Sequence, residues 1–219
     1  MKYFIGVLMV LGLFSCSEND QKKDTETNTY YAKYVYIYNN YDSLGFEKSN
    51  ELLDEYIAEF PNAQNAYLFK AYLMAKNGKL NETVPLFLKA QSYDSLNIEL
   101  YQQWASILLY DSSQVLKAEE VNNIGLQIDS TDILCRNNNT WILLYQNKNL
   151  EALENALSLV QDTLAQKNIY YRALVLSSIA AQNDSIYSFY LPQTDSVDRQ
   201  NFDKLKRKET SFPQYYKTL

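Results

Sequence analysis

The feature that most constrains this chain is the stretch 67–95, in which two apolar patterns of helical period flank one short turn. Between the patterns, Asn77-Gly78 is expected to end the first helix, because glycine readily takes the left-handed backbone conformation that closes a helix. The stretch therefore predicts two antiparallel helices packed along one apolar face. The positions that define that face are Tyr67, Ala71, Met74, Leu80, Phe87 and Ala90.

The same stretch resembles a tetratricopeptide repeat, in which an aromatic residue, a small residue and a turn precede a second helix with alanine and phenylalanine. Tyr67 takes the aromatic place, Ala71 the place of the family's glycine, and Phe87 that of the phenylalanine. Lys70 replaces a leucine and Thr83 an alanine of the family pattern. The resemblance implies an all-α fold, a tetratricopeptide-like solenoid of antiparallel helix pairs in a right-handed superhelix. The alternative is an ordinary helical hairpin.

Residues that would end a helix recur with the period of this family. Pro61 lies thirty-four residues before Ser95, and Asp129 lies thirty-five residues after Asp94. The sequence therefore predicts a repeat domain at 29–184. Its predicted divisions are 29–63, 64–97, 98–132 and 133–166, then a half repeat at 168–184, with a C-terminal capping helix and tail at 185–219.

The composition favours helices and disfavours catalysis. The chain has only 5 Gly and 4 Pro in 219 residues, which argues against a turn-rich β protein. It has no histidine, which excludes Ser–His and Cys–His nucleophile pairs and removes the commonest acid–base group and metal ligand. A glycine-rich phosphate loop is also absent from the sequence. We therefore expect no enzymatic activity, no cofactor and no metal site.

The first residues have the features of a targeting segment. Lys2 precedes an apolar run at 3–14, which is too short to span a bilayer as a stable helix. The run ends in Leu13-Phe14-Ser15-Cys16, which resembles the lipobox of bacterial lipoproteins. The resemblance implies removal of a signal peptide, 1–15, and lipidation of Cys16, whose several acyl chains would anchor the protein. The alternative is a plain signal peptide with an incidental cysteine.

The residues after Cys16 refine the expected location. Ser17 rather than aspartate at the next position implies the outer membrane by the sorting rule of Gram-negative lipoproteins, and 17–20 resembles a surface-export signal of Bacteroidota lipoproteins. We expect a cell-envelope protein, lipid-anchored to the outer membrane and facing the periplasm or the cell surface. The segment 16–28 is polar and aperiodic, so it is predicted to be a flexible tether.

The chain without its signal peptide would be acidic and would keep one cysteine besides Cys16. Removal of 1–15 removes Lys2 and no acid, which leaves 19 basic against 26 acidic residues and a net charge of −7. That charge disfavours nucleic acid as a partner. Cys135, preceded by Ile133-Leu134, is expected to be buried rather than reactive.

Tyrosine placement is the sequence feature most relevant to function. The first predicted helix carries four tyrosines spaced three, four and three apart, so all four share one face. They are Tyr31, Tyr34, Tyr38 and Tyr41. In the repeat family these places line the concave groove and contact ligand, and tyrosine suits such surfaces because it buries a large area at low entropic cost. The same register extends the candidate groove to Tyr72, Lys76, Gln102, Tyr110, Trp141 and Tyr145.

The alternative is that the tyrosine stripe of the first helix is core, as aromatic stripes at helical spacing often are. The neighbouring face can supply that core instead. Its residues are Ala32, Val35, Tyr36 and Ile37. We therefore expect the stripe to be partly exposed and Tyr36 to be packed.

A second recurrent motif is Asp, then Ser or Thr, then an aliphatic residue or Thr, always in a predicted turn. Its hydroxyl residues are Ser43, Ser95, Ser130, Thr163, Ser185 and Ser196. One interpretation is turn and capping chemistry, because these side chains bond nearby backbone N–H groups. The motif also resembles an O-glycosylation sequon of Bacteroidota periplasmic proteins, and both interpretations can hold together.

Three functions remain in competition. The first is a lipid-anchored interaction scaffold that binds a protein or peptide in the groove of the solenoid. The second is an outer-membrane assembly component resembling the repeat lipoprotein of the β-barrel assembly machine. The third is glycan binding through exposed Tyr and Trp, resembling part of the starch-utilisation lipoproteins.

Overall fold

A computed structural model describes residues 18–162, 167–194 and 196–207, and their side chains except those of 18–31, 162 and 167–170. Within these ranges the secondary structure is entirely helical. The helices are α1 Glu18–Glu59, α2 Gln64–Lys76, α3 Thr83–Tyr93, α4 Ile98–Leu108, α5 Val115–Ile128, α6 Ile133–Tyr145, α7 Asn149–Asp162, α8 Lys167–Ala180, α9 Asp184–Tyr190 and α10 Ser196–Lys206. The signal peptide 1–15, Cys16 and Thr163 lie outside the described residues.

The chain divides into two compact units, the first ending at Ala58 and the second beginning at Glu59. In the first unit α1 is a hairpin rather than one rod, because Gly45 breaks it with φ 77° and ψ 169°. Contacts across the break are symmetric about this glycine. The Tyr34 and Tyr56 rings lie 5.9 Å apart, and Ser49 Oγ donates to Tyr41 O at 3.4 Å. The two halves of α1 are therefore antiparallel, as a helix pair requires.

The predicted flexible tether is helical where the structure describes it. The backbone of α1 is helical from Glu18 onward, so the prediction of an unstructured segment at 16–28 was wrong for 18–28. The sequence offers a physical reason, because Gln21, Lys22 and Lys23 are good helix formers and the spacing of Glu18 and Lys22 is the i,i+4 spacing that favours a helix. Absence of apolar periodicity did not signal disorder here, since a helix that is polar all round can be stabilised by such pairs.

The second unit is built from helix pairs in sequence order. Each of α2, α4 and α6 packs against the helix that follows it, and α8 packs against α9. The first helices of successive pairs also contact each other, α2 with α4, α4 with α6, and α6 with α8. This arrangement places one continuous row of first helices beside a set of second helices.

Small side chains occupy buried positions on both helices of the pairs. Every one is fully buried, and those on the first helices recur thirty-four or thirty-five residues apart. On the first helices they are Ala71, Ala105 and Thr140, and on the second helices Ala90, Ala118, Ala152 and Ala156. A small side chain lets two backbones approach, and larger residues on the same helices, such as Phe87 and Tyr101, are almost completely buried.

Two features of the helix pairs, a tyrosine hydroxyl bond and a left-handed residue at a helix end, repeat with the period predicted from the sequence. Tyr67 and Tyr101, thirty-four residues apart, each donate a hydroxyl hydrogen bond of 2.8 Å to the carbonyl six residues earlier. Three of the first helices end with a left-handed residue, Gly78 at φ 75°, Asn147 at φ 59° and Gln182 at φ 55°. The amide that follows each of them bonds back to the last turn of its helix, from 2.8 to 2.9 Å.

The C-terminal region continues the stack. The short helix α9 pairs with α8, and α10 also packs against α8. Phe202 of α10 is fully buried, and Asp198 forms an ion pair with Arg172 of α8. Tyr187 of α9 donates its hydroxyl to Asp203 at 2.8 Å. Lys206 of α10 also bonds to Asp184 of α9, with Nζ 2.6 Å from Oδ1, so α10 is joined to both α8 and α9.

Substitution of Gly125 tests whether α4, α5 and α6 are closely packed. A Cβ atom at this position on α5 would lie 2.6 Å from Cys135 Sγ on α6 and 3.2 Å from Tyr101 Cβ on α4. Gly→Ala within a helix normally stabilises by about 0.5–1 kcal/mol, whereas overpacking costs about 1–3 kcal/mol. We therefore expect Gly125→Ala to lower the free energy of unfolding, measured by urea denaturation.

The matched control is Asn123→Ala, an exposed position on the same helix that should not destabilise. In a Cys135→Ala background the clashing sulfur is gone, so Gly125→Ala should lose most of its cost. An increase in stability from Gly125→Ala in the natural sequence would contradict close packing of α4, α5 and α6.

Candidate functional site

The residues that the sequence assigned to a groove lie on α1 of the first unit and, in the second unit, on α2, α4 and α6 and in the turn after α4. On α1, Tyr38 is 53% exposed, while Tyr34 and Tyr41 are half-buried. The Tyr34 ring lies 6.1 Å from that of Tyr38 and 5.9 Å from that of Tyr56, so the three rings form one cluster. Tyr31 lies on α1, and its side chain is outside the described part.

The opposite face of α1 differs from the prediction. Tyr36, expected in the core, is 54% exposed, and Ala32 is exposed as well. Ile37 is buried, and the half-buried Tyr34 and Tyr41 lie three before and four after it. The buried face of α1 is therefore centred on Ile37, between the two faces that the sequence analysis separated. Exposed aromatic surface on α1 comes from Tyr36 as well as Tyr38.

On α2, Tyr72 and Lys76 form a local pair. Tyr72 is 39% exposed, and its ring stacks on Phe69 with centroids 6.1 Å apart and an interplanar angle of 14°. Lys76 Nζ lies 6.0 Å from the centre of the Tyr72 ring. The ring is therefore held by packing on Phe69 and remains partly exposed.

The residues on and next to α4 and α6 that the sequence assigned to the groove lie at polar contacts between these two helices. Gln102 Nε2 donates to Asp132 Oδ2 at 2.8 Å, and its backbone carbonyl accepts a bond of 2.9 Å from Asn138 Nδ2. Tyr145 donates its hydroxyl to Leu109 O at 3.0 Å, next to the half-buried Tyr110. Burial raises the pKa of Tyr145 to about 12, with the carboxylate of Asp111 adding to the effect. These side chains join neighbouring repeats.

Trp141 does not lie on an accessible surface. It is only 4% exposed, so its prediction as a groove residue was wrong. The physical reason is its helix, since α6 contacts α4, α5, α7 and α8, and a large ring there is covered from several directions. The assigned residues thus form separate clusters, around Tyr38, around Tyr72 and around Tyr145.

Asp side chains of the recurrent motif accept hydrogen bonds from nearby backbone N–H groups. Asp94 Oδ1 accepts the Leu96 N–H at 2.9 Å, and Asp129 Oδ1 accepts the Thr131 N–H at 2.8 Å. Asp111 makes the same bond to Ser113 N–H at 2.9 Å, in a turn that the motif search missed because Ser113 is not aliphatic. The hydroxyl residues Ser95 and Ser130 are exposed at these turns.

The remaining motif positions have varied settings. Ser43 is helical rather than in a turn, and its Oγ donates to Asn40 O at 2.9 Å. Ser185 and Ser196 are exposed in the first turns of α9 and α10. The expectation that every motif lies in a turn was therefore wrong at Ser43, because helix α1 continues up to the break at Gly45.

Cys135 is buried, as its apolar flank indicated. Burial raises the pKa of its thiol to about 12, and the nearby carboxylates of Asp132 and Asp129 raise it further. Since the thiolate is the reactive form, Cys135 is poorly suited to nucleophilic chemistry at neutral pH. Among the described residues, His, Cys, Asp and Glu form no group that could hold a metal ion. The described helices include none long and apolar enough to cross a membrane.

Comparison with known proteins identifies the fold. The first similar structure is that of PilW, a widely conserved type IV pilus biogenesis factor, with a TM-score of 0.67 and 12% identity over 80% of this chain and 78% of PilW. The second is that of MamA, with a TM-score of 0.56 and 11% identity over 85% of this chain and 98% of MamA. Both are tetratricopeptide-like helical repeat proteins. The fold is tetratricopeptide-like.

The all-α, tetratricopeptide-like helix-pair prediction is thus confirmed by structure. No family model matches the sequence, and no curated protein matches it either. At sequence identities of 12% and 11%, the similarity to PilW and MamA shows the fold alone. The exposure of Tyr36 was not predicted from the sequence. It depends on which face of α1 is buried, and that face is centred on Ile37.

Proposed function

We propose that this chain is a lipid-anchored interaction scaffold of the cell envelope that binds a protein or peptide through exposed aromatic side chains of its first helices. The observation that carries the proposal is one exposed tyrosine in each unit, at positions one repeat length apart in the sequence. Tyr38 and Tyr72 are separated by thirty-four residues and are 53% and 39% exposed. Large aromatic rings held by neighbouring rings and left open to solvent are typical of protein-binding surfaces.

Several features support binding rather than catalysis. The chain lacks histidine, and its second cysteine is buried with a raised pKa. The polar side chains of α4 and α6 are engaged in bonds between repeats and do not converge on one reacting position. PilW acts in type IV pilus biogenesis, and an envelope setting for the present chain is compatible with that similarity.

Anchoring through Cys16 forms part of the proposal and is supported by sequence alone. Leu13-Phe14-Ser15-Cys16 resembles a lipobox, and a diacylated or triacylated cysteine would bind the outer membrane stably. O-glycosylation at the Asp-Ser motifs is a further proposal. Ser95 and Ser130 are the best-placed candidates, because both are exposed in turns that an Asp side chain holds in shape.

Photocrosslinking in intact cell envelopes tests the binding face. A benzophenone side chain at Tyr38 or Tyr72 should capture a protein, because these rings would lie in the contact. Tyr93 on α3 is the matched control, since it is a tyrosine of nearly equal exposure, 38%, on a second helix. Capture from Tyr93 but from neither Tyr38 nor Tyr72 would contradict the proposal.

The identity of the captured protein separates the alternatives. Recovery of subunits of the β-barrel assembly machine would narrow the scaffold to that role. Absence of any protein adduct, together with retention on a glycan array that Tyr38→Ala and Tyr72→Ala abolish, would replace protein binding by glycan binding.

Intact mass spectrometry of the protein extracted from membranes tests the covalent modifications. We expect a mass that corresponds to cleavage before Cys16 plus acyl chains, and a Cys16→Ser variant should lack the acyl chains and leave the membrane fraction. Any hexose-sized excess should fall when Ser95 and Ser130 are both replaced by Ala. A mass equal to that of the unmodified chain would contradict both modifications.

A further inference from the structure

We propose that helix α1 opens at Gly45 and that two copies of this chain exchange its N-terminal halves. In the exchanged dimer each α1 is one continuous helix, and 18–44 of one copy packs against 46–59 of the other. The closed hairpin and the exchanged dimer are then two forms of the same protein, and the partner at α1 is a second copy of this chain. The inference goes beyond the proposed function and does not depend on it.

The hinge of the α1 hairpin is a single residue. Within α1, only Gly45 has non-helical backbone angles, φ 77° and ψ 169°, and helix is present directly on both sides of it. Antiparallel helices are usually joined by loops of about two to five residues, so this connection is unusually short. Glycine is almost the only residue that adopts such angles. Short, strained hinges favour the exchange of identical elements between two copies, because exchange releases the hinge.

The hairpin opens if the backbone angles of this one residue change. With helical angles at Gly45, α1 would become a continuous helix of 42 residues, about 60 Å long. Glycine can adopt both conformations, since it has no Cβ atom to exclude either of them. A residue with a side chain would favour the continuous helix. Gly45 therefore permits both the closed and the exchanged form.

The contacts between the two halves of α1 are placed symmetrically about Gly45. The Tyr34 and Tyr56 rings, eleven residues before and after it, lie 5.9 Å apart. Ser49 Oγ donates to Tyr41 O at 3.4 Å, and these residues lie four after and four before Gly45. Two continuous helices that run antiparallel and meet at their Gly45 residues would form each contact twice, related by a twofold axis. The exchanged dimer therefore keeps these contacts of the hairpin.

Opening is coupled to exchange because both halves of α1 carry buried apolar side chains. Ile37 and Leu53, eight residues before and after Gly45, are 3% and 0% exposed. A single open copy would break the Tyr34–Tyr56 contact and expose apolar surface to water. A second copy covers the same surface, so the closed and exchanged forms differ mainly in the hinge and in the entropic cost of association. The hinge residue thus sets the balance between monomer and dimer.

Sedimentation velocity over a concentration series of the purified full chain tests the exchange. Mass action predicts mostly monomer in dilute solution and a dimer fraction that grows with concentration. Gly45→Ala should lower the dissociation constant of the dimer by about tenfold or more, because alanine is disfavoured at a φ of 77° and favoured in a continuous helix. Circular dichroism checks that the variant keeps its helices.

Gly78→Ala is the matched control. Gly78 also has a positive φ, 75°, and a Cβ atom added at Gly78 or at Gly45 would meet nothing within 4 Å. The two substitutions therefore impose the same kind of backbone strain. The chain after Gly78 does not continue directly as an α-helix, because Lys79 precedes the 3₁₀ turn Leu80–Glu82, so one alanine cannot create a continuous helix there. We expect Gly78→Ala to leave the dissociation constant of the dimer unchanged.

A longer hinge should have the opposite effect to Gly45→Ala. Insertion of Gly-Ser-Gly-Ser after Gly45 gives the hairpin a loop of ordinary length, which relaxes the hinge and interrupts the continuous helix. We expect the equilibrium to shift towards monomer relative to the natural sequence. A dimer formed by side-by-side contact of closed hairpins would not respond in this way.

Photocrosslinking identifies the exchanged contact itself. A benzophenone side chain at position 34 should react near Tyr56, because the Tyr34 and Tyr56 rings lie 5.9 Å apart. The adduct should lie within one chain in the monomer fraction and should join two chains in the dimer fraction. Denaturing electrophoresis distinguishes these two products, and peptide mass spectrometry locates the adduct.

Three results would overturn the inference. The first is the absence of a dimer from both the natural chain and Gly45→Ala at every concentration. The second is a dimer whose dissociation constant is unchanged by the insertion. The third is a dimer fraction in which the adduct from position 34 stays within one chain. If Gly45→Ala loses its helices, the natural chain, the insertion and the crosslink decide the question without it.

Discussion

Close approach of paired helices at small side chains is the constraint on which the described structure depends. Ala71, Ala105 and Thr140 are fully buried on the first helices, each near the middle of its helix. With a small residue there, the backbones approach and the larger rings around it can be buried, each contributing about 1.5–3 kcal/mol. Gly125 shows the same constraint at its limit, since even a methyl group would meet Cys135 and Tyr101.

Polar contacts between repeats depend in turn on that packing. Once the first helices lie side by side, their buried amides and hydroxyls need partners, because an unsatisfied buried group costs about 1–3 kcal/mol. Gln102, Asn138 and Tyr145 meet this need by bonding across neighbouring first helices. Two of these side chains, Gln102 and Tyr145, are ones that the sequence assigned to a groove. Among the described residues assigned to the groove, exposed aromatic surface is therefore left at Tyr38 and Tyr72.

Much of the helix-pair architecture was predictable, because its signals are local. Asn77-Gly78 marks a turn whose left-handed residue the structure shows at Gly78. The thirty-four-residue separation of Pro61 and Ser95 gave a register, and the hydroxyl bonds of Tyr67 and Tyr101 to the carbonyls of these two residues reproduce it. Turn residues and fixed repeat spacings can be recognised in the sequence because they do not depend on contacts with distant residues.

Exposure was less predictable, because it depends on how many helices surround each side chain. Trp141 and Tyr72 occupy equivalent places in the register, but α6 contacts four other helices and covers its ring, while the ring on α2 stays open. Tyr36 was misassigned since a rotation of α1 by part of a turn exchanges core and surface positions. The helical backbone of 18–28 was missed because it lacks the apolar periodicity that the prediction relied on.

Hydroxyl-radical footprinting of tyrosines, compared between intact envelopes and the purified protein, tests the binding face most directly. We predict that oxidation of Tyr38 and Tyr72 falls in the envelope, where a partner covers them, while oxidation of Tyr93 is unchanged. Tyr72 and Tyr93 start from nearly equal exposure, 39% and 38%, so the comparison needs no correction for accessibility. Equal oxidation of Tyr38 and Tyr72 in both samples, or protection of Tyr93 in their place, would contradict binding through the first helices.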